Sequence, residues 1–95
     1  MSAHVFIAED ETSIVTLLKY NLEKEGYKVS HSENGDEALK QIKSKQPDLI
    51  LMDWMLPELS GVEICKNLKK DNKFNDIPVI MLTAKGEEED KLKAF

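Results

Sequence analysis

Three apolar runs in the sequence each end in a polar group suited to binding a metal ion or a phosphoryl group. They are Glu9 and Asp10 after residues 4–8, Asp53 after residues 49–52, and Thr83 after residues 78–82. If these runs are neighbouring parallel strands, their carboxyl ends share one edge of a sheet and the polar groups converge there. Carboxylates on adjacent strands, about 4.8 Å apart, repel by about 3 kcal/mol at an effective dielectric constant near 20. A divalent cation would remove that cost.

The chemistry of these groups favours Mg²⁺ and an aspartyl phosphate. The candidate ligands are carboxylates with no histidine among them, and a hard cation that keeps several waters suits such a set. With a metal bound, an ionised Asp53 is a candidate nucleophile towards phosphorus. Thr83 could donate a hydrogen bond to a phosphoryl oxygen, and backbone N–H groups near Ala84 could do the same. Taken singly, each group has a plainer role as a turn or strand residue, and their joint placement is what favours a site.

An alternation of strand and helix predicts the scaffold that would hold this site. Apolar strands are predicted at about 4–8, at 49–53 and after Pro78, with a half-exposed edge strand at 27–31. The fold class is therefore α/β, a doubly wound, flavodoxin-like parallel sheet. The expected strand order is 2-1-3-4.

Capping residues and apolar spacing predict the helices between these strands. The first helix is capped by Thr12 or Ser13, the second by Asn34 with Glu37, and the third by Ser60 with Glu63. The inward-facing residues are predicted to be Ile14, Leu17, Leu18 and Leu22 on the first helix, Ala38, Leu39 and Ile42 on the second, and Val62, Cys65 and Leu68 on the third. The acidic run at 87–90 is predicted to open a fourth helix that carries Leu92 and Phe95.

Composition limits the functional classes. The 95 residues are 41% hydrophobic and 33% charged, which is typical of one small globular domain. A formal net charge of −5 argues against binding of DNA by these residues. Cys65 is the single cysteine, so an internal disulfide is excluded. The sequence shows no apolar run long enough to cross a membrane and no secretory signal, so we expect a cytoplasmic protein.

The motifs at the ends of these strands resemble those of receiver domains of bacterial two-component response regulators, in the OmpR/PhoB-like subfamily. The resemblance rests on Ala-Glu-Asp-Glu at 8–11, Leu-Ile-Leu-Met-Asp-Trp-Met-Leu-Pro at 49–57 with Ser-Gly at 60–61, and Pro-Val-Ile-Met-Leu-Thr-Ala at 78–84. They occur in the order and spacing of the family and span nearly the whole sequence.

The resemblance implies a phosphoacceptor that switches a transcription regulator. Asp53 would take phosphate from the phosphohistidine of a sensor histidine kinase, and Mg²⁺ would be held by Glu9, Asp10, Asp53 and the main-chain carbonyl of Met55. Thr83 would contact the phosphoryl group and signal its presence. Such a module is not a turnover enzyme and at most catalyses its own phosphorylation and dephosphorylation.

Relative to the family pattern, residues 1–95 form a receiver domain that we expect to be incomplete at its C-terminus. A fifth strand, the phosphate-binding lysine that follows it, a fifth helix and a C-terminal DNA-binding domain are all expected beyond Phe95. The fourth strand should then have an unpaired edge, which predicts self-association. DNA contact is expected only through the absent domain.

Three other functions compete with this interpretation. A phosphorylation-independent protein-interaction module would need no Asp53 chemistry. A Mg²⁺ phosphatase with an aspartate nucleophile would want a second aspartate at position 55, which is methionine. A flavin carrier of the same fold would need hydroxyl and N–H groups after the first strand, where Glu9, Asp10 and Glu11 would repel a phosphate.

Overall fold

The structure, a computed structural model, describes residues 3–82 and the backbone of residues 92–94. Helices and strands alternate along the chain up to the fourth strand, because short apolar runs are separated by segments with helical periodicity. In chain order the elements are β1 (His4–Ala8), α1 (Thr12–Lys24), β2 (Lys28–Ser32), α2 (Gly35–Lys45), β3 (Leu49–Asp53), α3 (Gly61–Lys69), β4 (Val79–Leu82) and β5 (Leu92–Ala94).

These strands form one sheet in the order β2-β1-β3-β4-β5. β1 pairs in parallel with both β2 and β3, and β3 pairs in parallel with β4, which confirms the predicted order 2-1-3-4. β2 and β3 therefore lie on opposite sides of β1, and the connection from β2 to β3 crosses over β1. In this topology the crevice between the carboxyl ends of β1 and β3 is the switch point at which ligands bind.

The predictions for the last part of the chain are wrong in two respects. Leu92–Ala94 forms a strand and not a helix, and it pairs antiparallel with β4 in the register Ile80 to Ala94 and Leu82 to Leu92. The fourth strand therefore has a partner on the edge that was predicted to be unpaired. Pairing satisfies the backbone N–H and C=O groups along that edge, a tertiary gain that outweighs local helix preference. The acidic run at 87–90 lies outside the described residues.

Two apolar clusters lie on opposite faces of the sheet, as a doubly wound fold requires. On one face Phe6 and Ile50 pack with Ile42 of α2 and Ile64 of α3. On the other face Val5, Ile7 and Leu51 pack with Val15 of α1. Alternate residues of β1 enter different clusters because successive side chains of a strand point to opposite faces. The sheet core is fully covered at β1 and β3, the two strands that lead to the switch point.

Side-chain caps begin α2 and α3 as predicted. Asn34 Oδ1 accepts a hydrogen bond from the Glu37 N–H at 3.1 Å, and Ser60 Oγ accepts one from the Glu63 N–H at 3.2 Å. The capping prediction for α1 is wrong, because the residue at the cap position is Glu11 and no side-chain cap forms. Its carbonyl instead accepts from the N–H groups of Ile14 and Val15 at 3.0 and 3.1 Å.

The predicted inward faces of α1 and α3 hold in part, because Leu18 and Leu22 pack against the apolar cluster on their side of the sheet and Cys65 and Leu68 are buried. On α1 the buried residue is Val15, whereas Leu17 is 61% exposed. On α3 Ile64 is buried and Val62 is 37% exposed. At about 100° per residue, Val62 lies about 60° beyond Cys65, the nearer edge of the buried sector. Within residues 3–82 and 92–94, no helix is both long and apolar enough for a membrane crossing.

Candidate metal and phosphoacceptor site

The carboxylates of Glu9, Asp10 and Asp53 converge at the switch point. One oxygen from each lies within 4.8 Å of the other two. The side chains of Glu9 and Asp53 are buried, at 2% and 3% exposure, while Asp10 faces solvent. The cluster therefore has a buried floor and one open side, through which an ion or a phosphoryl group could approach.

The ends of β1 and β3 fix this geometry. Beyond the last residue of β1, the Glu9 N–H donates to the Ser32 carbonyl at 3.1 Å, which extends the pairing with β2. The Oε2 of Glu9 accepts a hydrogen bond from the N–H of Glu11, two residues further along the chain, at 3.0 Å. Asp53 is the last residue of β3 and lies opposite Leu82 of β4. Strand pairing thus holds the backbone of both buried carboxylates.

The segment between β3 and α3, residues 54–60, is called the β3–α3 loop below. The Met55 N–H points back towards Asp53, with 3.5 Å between its nitrogen and Asp53 Oδ1. The Gly61 N–H donates to the Trp54 carbonyl at 2.9 Å, which closes the loop at the start of α3. The Met55 side chain is 70% exposed, so only its backbone belongs to the site.

Two glycines allow the β3–α3 loop to lie against its surroundings, a role that the sequence reasoning does not identify. A Cβ built on Gly61 would lie 2.0 Å from the Asp53 carbonyl oxygen. A Cβ on Gly35 would lie 1.8 Å from the Leu59 carbonyl oxygen. In the sequence the pair Asn34-Gly35 marks only the start of a helix, because the cost of glycine applies to the interior of a helix and Gly35 is the first residue of α2.

The donor set fits a hard divalent cation. Mg²⁺ binds oxygens at about 2.0–2.1 Å, so two of its ligands lie at most about 4.2 Å apart. Among any three ligands of an octahedron at least two pairs are neighbours, about 2.9 Å apart, so the carboxylate oxygens, all within 4.8 Å of one another, would move closer on binding or would bind in part through the waters that Mg²⁺ retains. A structural zinc site would instead draw on cysteine and histidine, and the acidic cluster found among the described residues contains neither.

Not all of the predicted site residues fall within the described part of the chain. Thr83 and the backbone N–H of Ala84 are outside the described residues. His4 is at the amino-terminal end of β1, away from the carboxylates, where its Nε2 lies 2.7 Å from Ser30 Oγ. Burial, with Lys28 and Lys45 nearby, lowers the pKa of His4 below its usual 6.5, and Asp48 opposes that shift.

The parallel strand order 2-1-3-4 and the three carboxylates at its switch point agree with the family that the sequence matches. The sequence matches the family described as the response regulator receiver domain over residues 5–95, and the chain belongs to that family.

Individual relatives agree with this assignment. The chain is 49% identical over 92 residues to the alkaline phosphatase synthesis transcriptional regulatory protein PhoP of Bacillus subtilis, covering 97% of this chain and 38% of that protein. It is 43% identical over 95 residues to the phosphate regulon transcriptional regulatory protein PhoB of Escherichia coli, covering 100% of this chain and 42% of that protein. The predicted OmpR/PhoB-like subfamily is confirmed, and the chain spans about two fifths of the length of these relatives.

Solved structures of receiver domains share this fold. The receiver domain of the sensor histidine kinase PA1611 of Pseudomonas aeruginosa PAO1 matches with a TM-score of 0.84 and 27% identity, covering 95% of this chain and 74% of that one. That structure has a magnesium ion coordinated in its active site cleft.

Proposed function

We propose that Asp53 is the phosphoacceptor of this receiver domain and that it works with Mg²⁺ held by Glu9, Asp10, Asp53 and the main-chain carbonyl of Met55. The observation that carries the proposal is the convergence of three carboxylates within 4.8 Å at the carboxyl ends of β1 and β3. Three negative charges this close to one another favour the binding of a cation. Strand pairing fixes the backbone of two of the three residues, Glu9 and Asp53, without a bound ion.

The proposed reaction transfers one phosphoryl group to a carboxylate oxygen of Asp53. That oxygen attacks the phosphorus of a phosphohistidine, the new P–O bond forms as the P–N bond breaks, and the departing imidazole takes up a proton from solvent. When bound, Mg²⁺ supplies positive charge that offsets the charge of the transferring group. The chain's own residues hold the nucleophile at a strand end and exclude water from one side of it.

Thr83 and the backbone N–H of Ala84 complete the proposal as donors to the phosphoryl oxygens. Their position directly after β4 supports this role, because β3 and β4 are parallel neighbours and Asp53 pairs with Leu82, the residue before Thr83. A change in the Thr83 side chain on phosphorylation would report the state of the site. Removal of the Thr83 hydroxyl should therefore weaken signalling more than phosphate uptake.

The partners follow from the chemistry of a regulator of this type. A sensor histidine kinase would supply the phosphohistidine, in the cytoplasm, and the output would be regulation of transcription. The chain itself carries a formal charge of −5, so contact with DNA would fall to a separate domain. The edge of β4 on which the prediction of self-association rested is paired with β5, so it does not offer the unpaired backbone groups that such an association requires.

The competing functions fit the site less well. A phosphatase of the aspartate-nucleophile type lacks its general acid, since Met55 stands where the second aspartate is needed. The chain would act as a phosphate acceptor, catalysing only its own phosphorylation and dephosphorylation.

A phosphorylation-independent interaction module would leave unexplained why two of three adjacent carboxylates are buried.

Intact-mass spectrometry after incubation with a small acyl phosphate and Mg²⁺ tests the proposal. The native chain should gain the mass of one phosphoryl group, Asp53→Asn should gain none, and the control Asp76→Asn, altered at an exposed aspartate before β4, should behave as the native chain. Equal uptake by Asp53→Asn would remove Asp53 from its role. No uptake by any sample, while the protein is folded and Mg²⁺ is bound, would favour the interaction module.

A further inference from the structure

The β3–α3 loop is attached to the first residue of α2 by a backbone hydrogen bond. The Gly35 N–H donates to the Pro57 carbonyl at 2.8 Å. This N–H is one of the four at the start of a helix that have no partner within the helix, so the loop carbonyl satisfies a group that would otherwise need water. Asn34, the capping residue of α2, directs its side chain to Glu37 and leaves the Gly35 N–H available to the loop.

The contact between Gly35 and the loop is also too close for any side chain at position 35. A Cβ there would lie 1.8, 2.6 and 2.8 Å from the carbonyl oxygen, carbonyl carbon and Cβ of Leu59. Two of these three atoms are backbone, so they cannot swing aside as the end of a flexible side chain could. A substitution at Gly35 must therefore displace the loop, the start of α2, or both.

The loop needs this attachment because its own backbone is strained. Glu58 has a φ of 76°, in the left-handed region that non-glycine residues rarely adopt. Around it the Leu59 N–H donates to the Pro57 carbonyl at 2.9 Å, a three-residue turn of the strained γ type. Such a conformation persists only where surrounding contacts hold it. The Pro57 carbonyl accepts from both Leu59 and Gly35, so the same atom links the turn to α2.

We propose that Gly35 is a positioning residue for the metal site, because it holds the β3–α3 loop in the conformation that presents the Met55 backbone beside Asp53. This inference rests on the proposed metal site. Gly35 belongs to α2 and acts on that site through the loop. The loop follows Asp53 directly and is joined at its other end to Gly61, so a shift at Pro57 or Leu59 moves the backbone of Met55.

Matched glycine substitutions separate this role from a merely structural one. In Gly35→Ala the new Cβ displaces the loop, whereas in Gly26→Ala, at the turn between α1 and β2, the Cβ meets nothing within 4 Å. Both substitutions should lower stability, Gly26→Ala because its φ is 95°. Only Gly35→Ala should weaken Mg²⁺ binding, by about tenfold or more, as expected when a group that orients a metal ligand is lost.

Isothermal calorimetry with Mg²⁺ measures this difference at a temperature where circular dichroism shows native chain, Gly35→Ala and Gly26→Ala all folded. Fluorescence of Trp54, the single tryptophan and the first residue of the loop, gives a second titration of the same samples. A Gly35→Ala variant that is folded and binds Mg²⁺ with native affinity would overturn the proposal. So would an equal loss of affinity in Gly26→Ala.

Amide hydrogen exchange of the native chain decides the question even if Gly35→Ala does not fold. Coupling between two sites is reciprocal, so a loop attachment that favours Mg²⁺ binding must itself be strengthened by Mg²⁺. Saturating Mg²⁺ should slow exchange of the Gly35 amide more than that of Gly26, whose N–H donates to the Glu23 carbonyl at 3.0 Å. Equal changes at both amides would overturn the proposal. Failure of the native chain to bind Mg²⁺ at all would instead refute the proposed metal site.

Discussion

Substitution of Asp10 by asparagine should stabilise the metal-free chain, because it relieves repulsion within the acidic cluster. An Asp10 oxygen lies within 4.8 Å of an oxygen of Glu9 and of Asp53, and at the dielectric constant of water each pair repels by roughly 0.9 kcal/mol at that distance. The high dielectric constant is appropriate because Asp10 is exposed. Screening at about 0.1 M salt, where the Debye length is about 10 Å, reduces the two-pair sum to roughly 1 kcal/mol.

Urea unfolding in a chelating buffer measures this gain. With a denaturant slope of about 2 kcal/mol per molar, the midpoint of Asp10→Asn should lie roughly 0.5 M above that of the native chain. Asp76→Asn, which alters an exposed aspartate outside the cluster, is the matched control and should leave the midpoint near the native value.

Added Mg²⁺ should abolish the advantage of the variant. At a concentration 100 times its dissociation constant, Mg²⁺ stabilises the native chain by about 2.7 kcal/mol, whereas a variant that binds tenfold more weakly gains about 1.4 kcal/mol. The difference of about 1.3 kcal/mol cancels the roughly 1 kcal/mol advantage. An Asp10→Asn variant that is no more stable than the native chain without metal, or that keeps its full advantage in Mg²⁺, would refute the electrostatic account of the cluster.

Three further predictions concern the scaffold. Ser60→Ala should lower the free energy of unfolding by about 1 kcal/mol because it removes the cap of α3, whereas Ser44→Ala, at an exposed position in the last turn of α2, should not; equal urea midpoints for the two variants would contradict this. The pKa of His4 is lowered in the folded chain, so the unfolded chain binds more protons below pH 6.5 and stability should fall as the pH drops through that value. A His4→Gln variant whose stability has the same pH profile as that of the native chain would contradict this. Burial raises the pKa of the Cys65 thiol, so native protein should react slowly with a thiol reagent and quickly in urea, and equal rates would contradict its burial.

The sequence predicts well the parts of the molecule that local patterns determine. The bounds of β3 at 49–53, the strand order and the caps at Asn34 and Ser60 follow from apolar runs, crossover rules and side-chain chemistry. The approach of Glu9, Asp10 and Asp53 follows from the same logic, since parallel strands bring their carboxyl ends to one edge.

Features that depend on contacts distant in the sequence were not predictable in this way. Local spacing predicts a helix at Leu92, because the partner of this residue, the edge of β4, is distant in the sequence. The exposure of Leu17 and Val62 depends on how each helix is rotated over the sheet, and on α3 a difference of about 60° separates the buried Cys65 from the exposed Val62. The approach of Gly35 to Leu59 joins residues 24 positions apart, and only the folded backbone reveals it.

Location of the phosphoryl group is the most direct test of the account. The chain should be incubated with a phosphorylated histidine kinase or a small acyl phosphate in the presence of Mg²⁺, then reduced with borohydride, which converts an aspartyl phosphate to homoserine. Peptide sequencing by mass spectrometry should find homoserine at position 53 and at no other aspartate, and chelation of Mg²⁺ should abolish it. Homoserine at another position, or unchanged labelling of residue 53 without Mg²⁺, would contradict the proposed site.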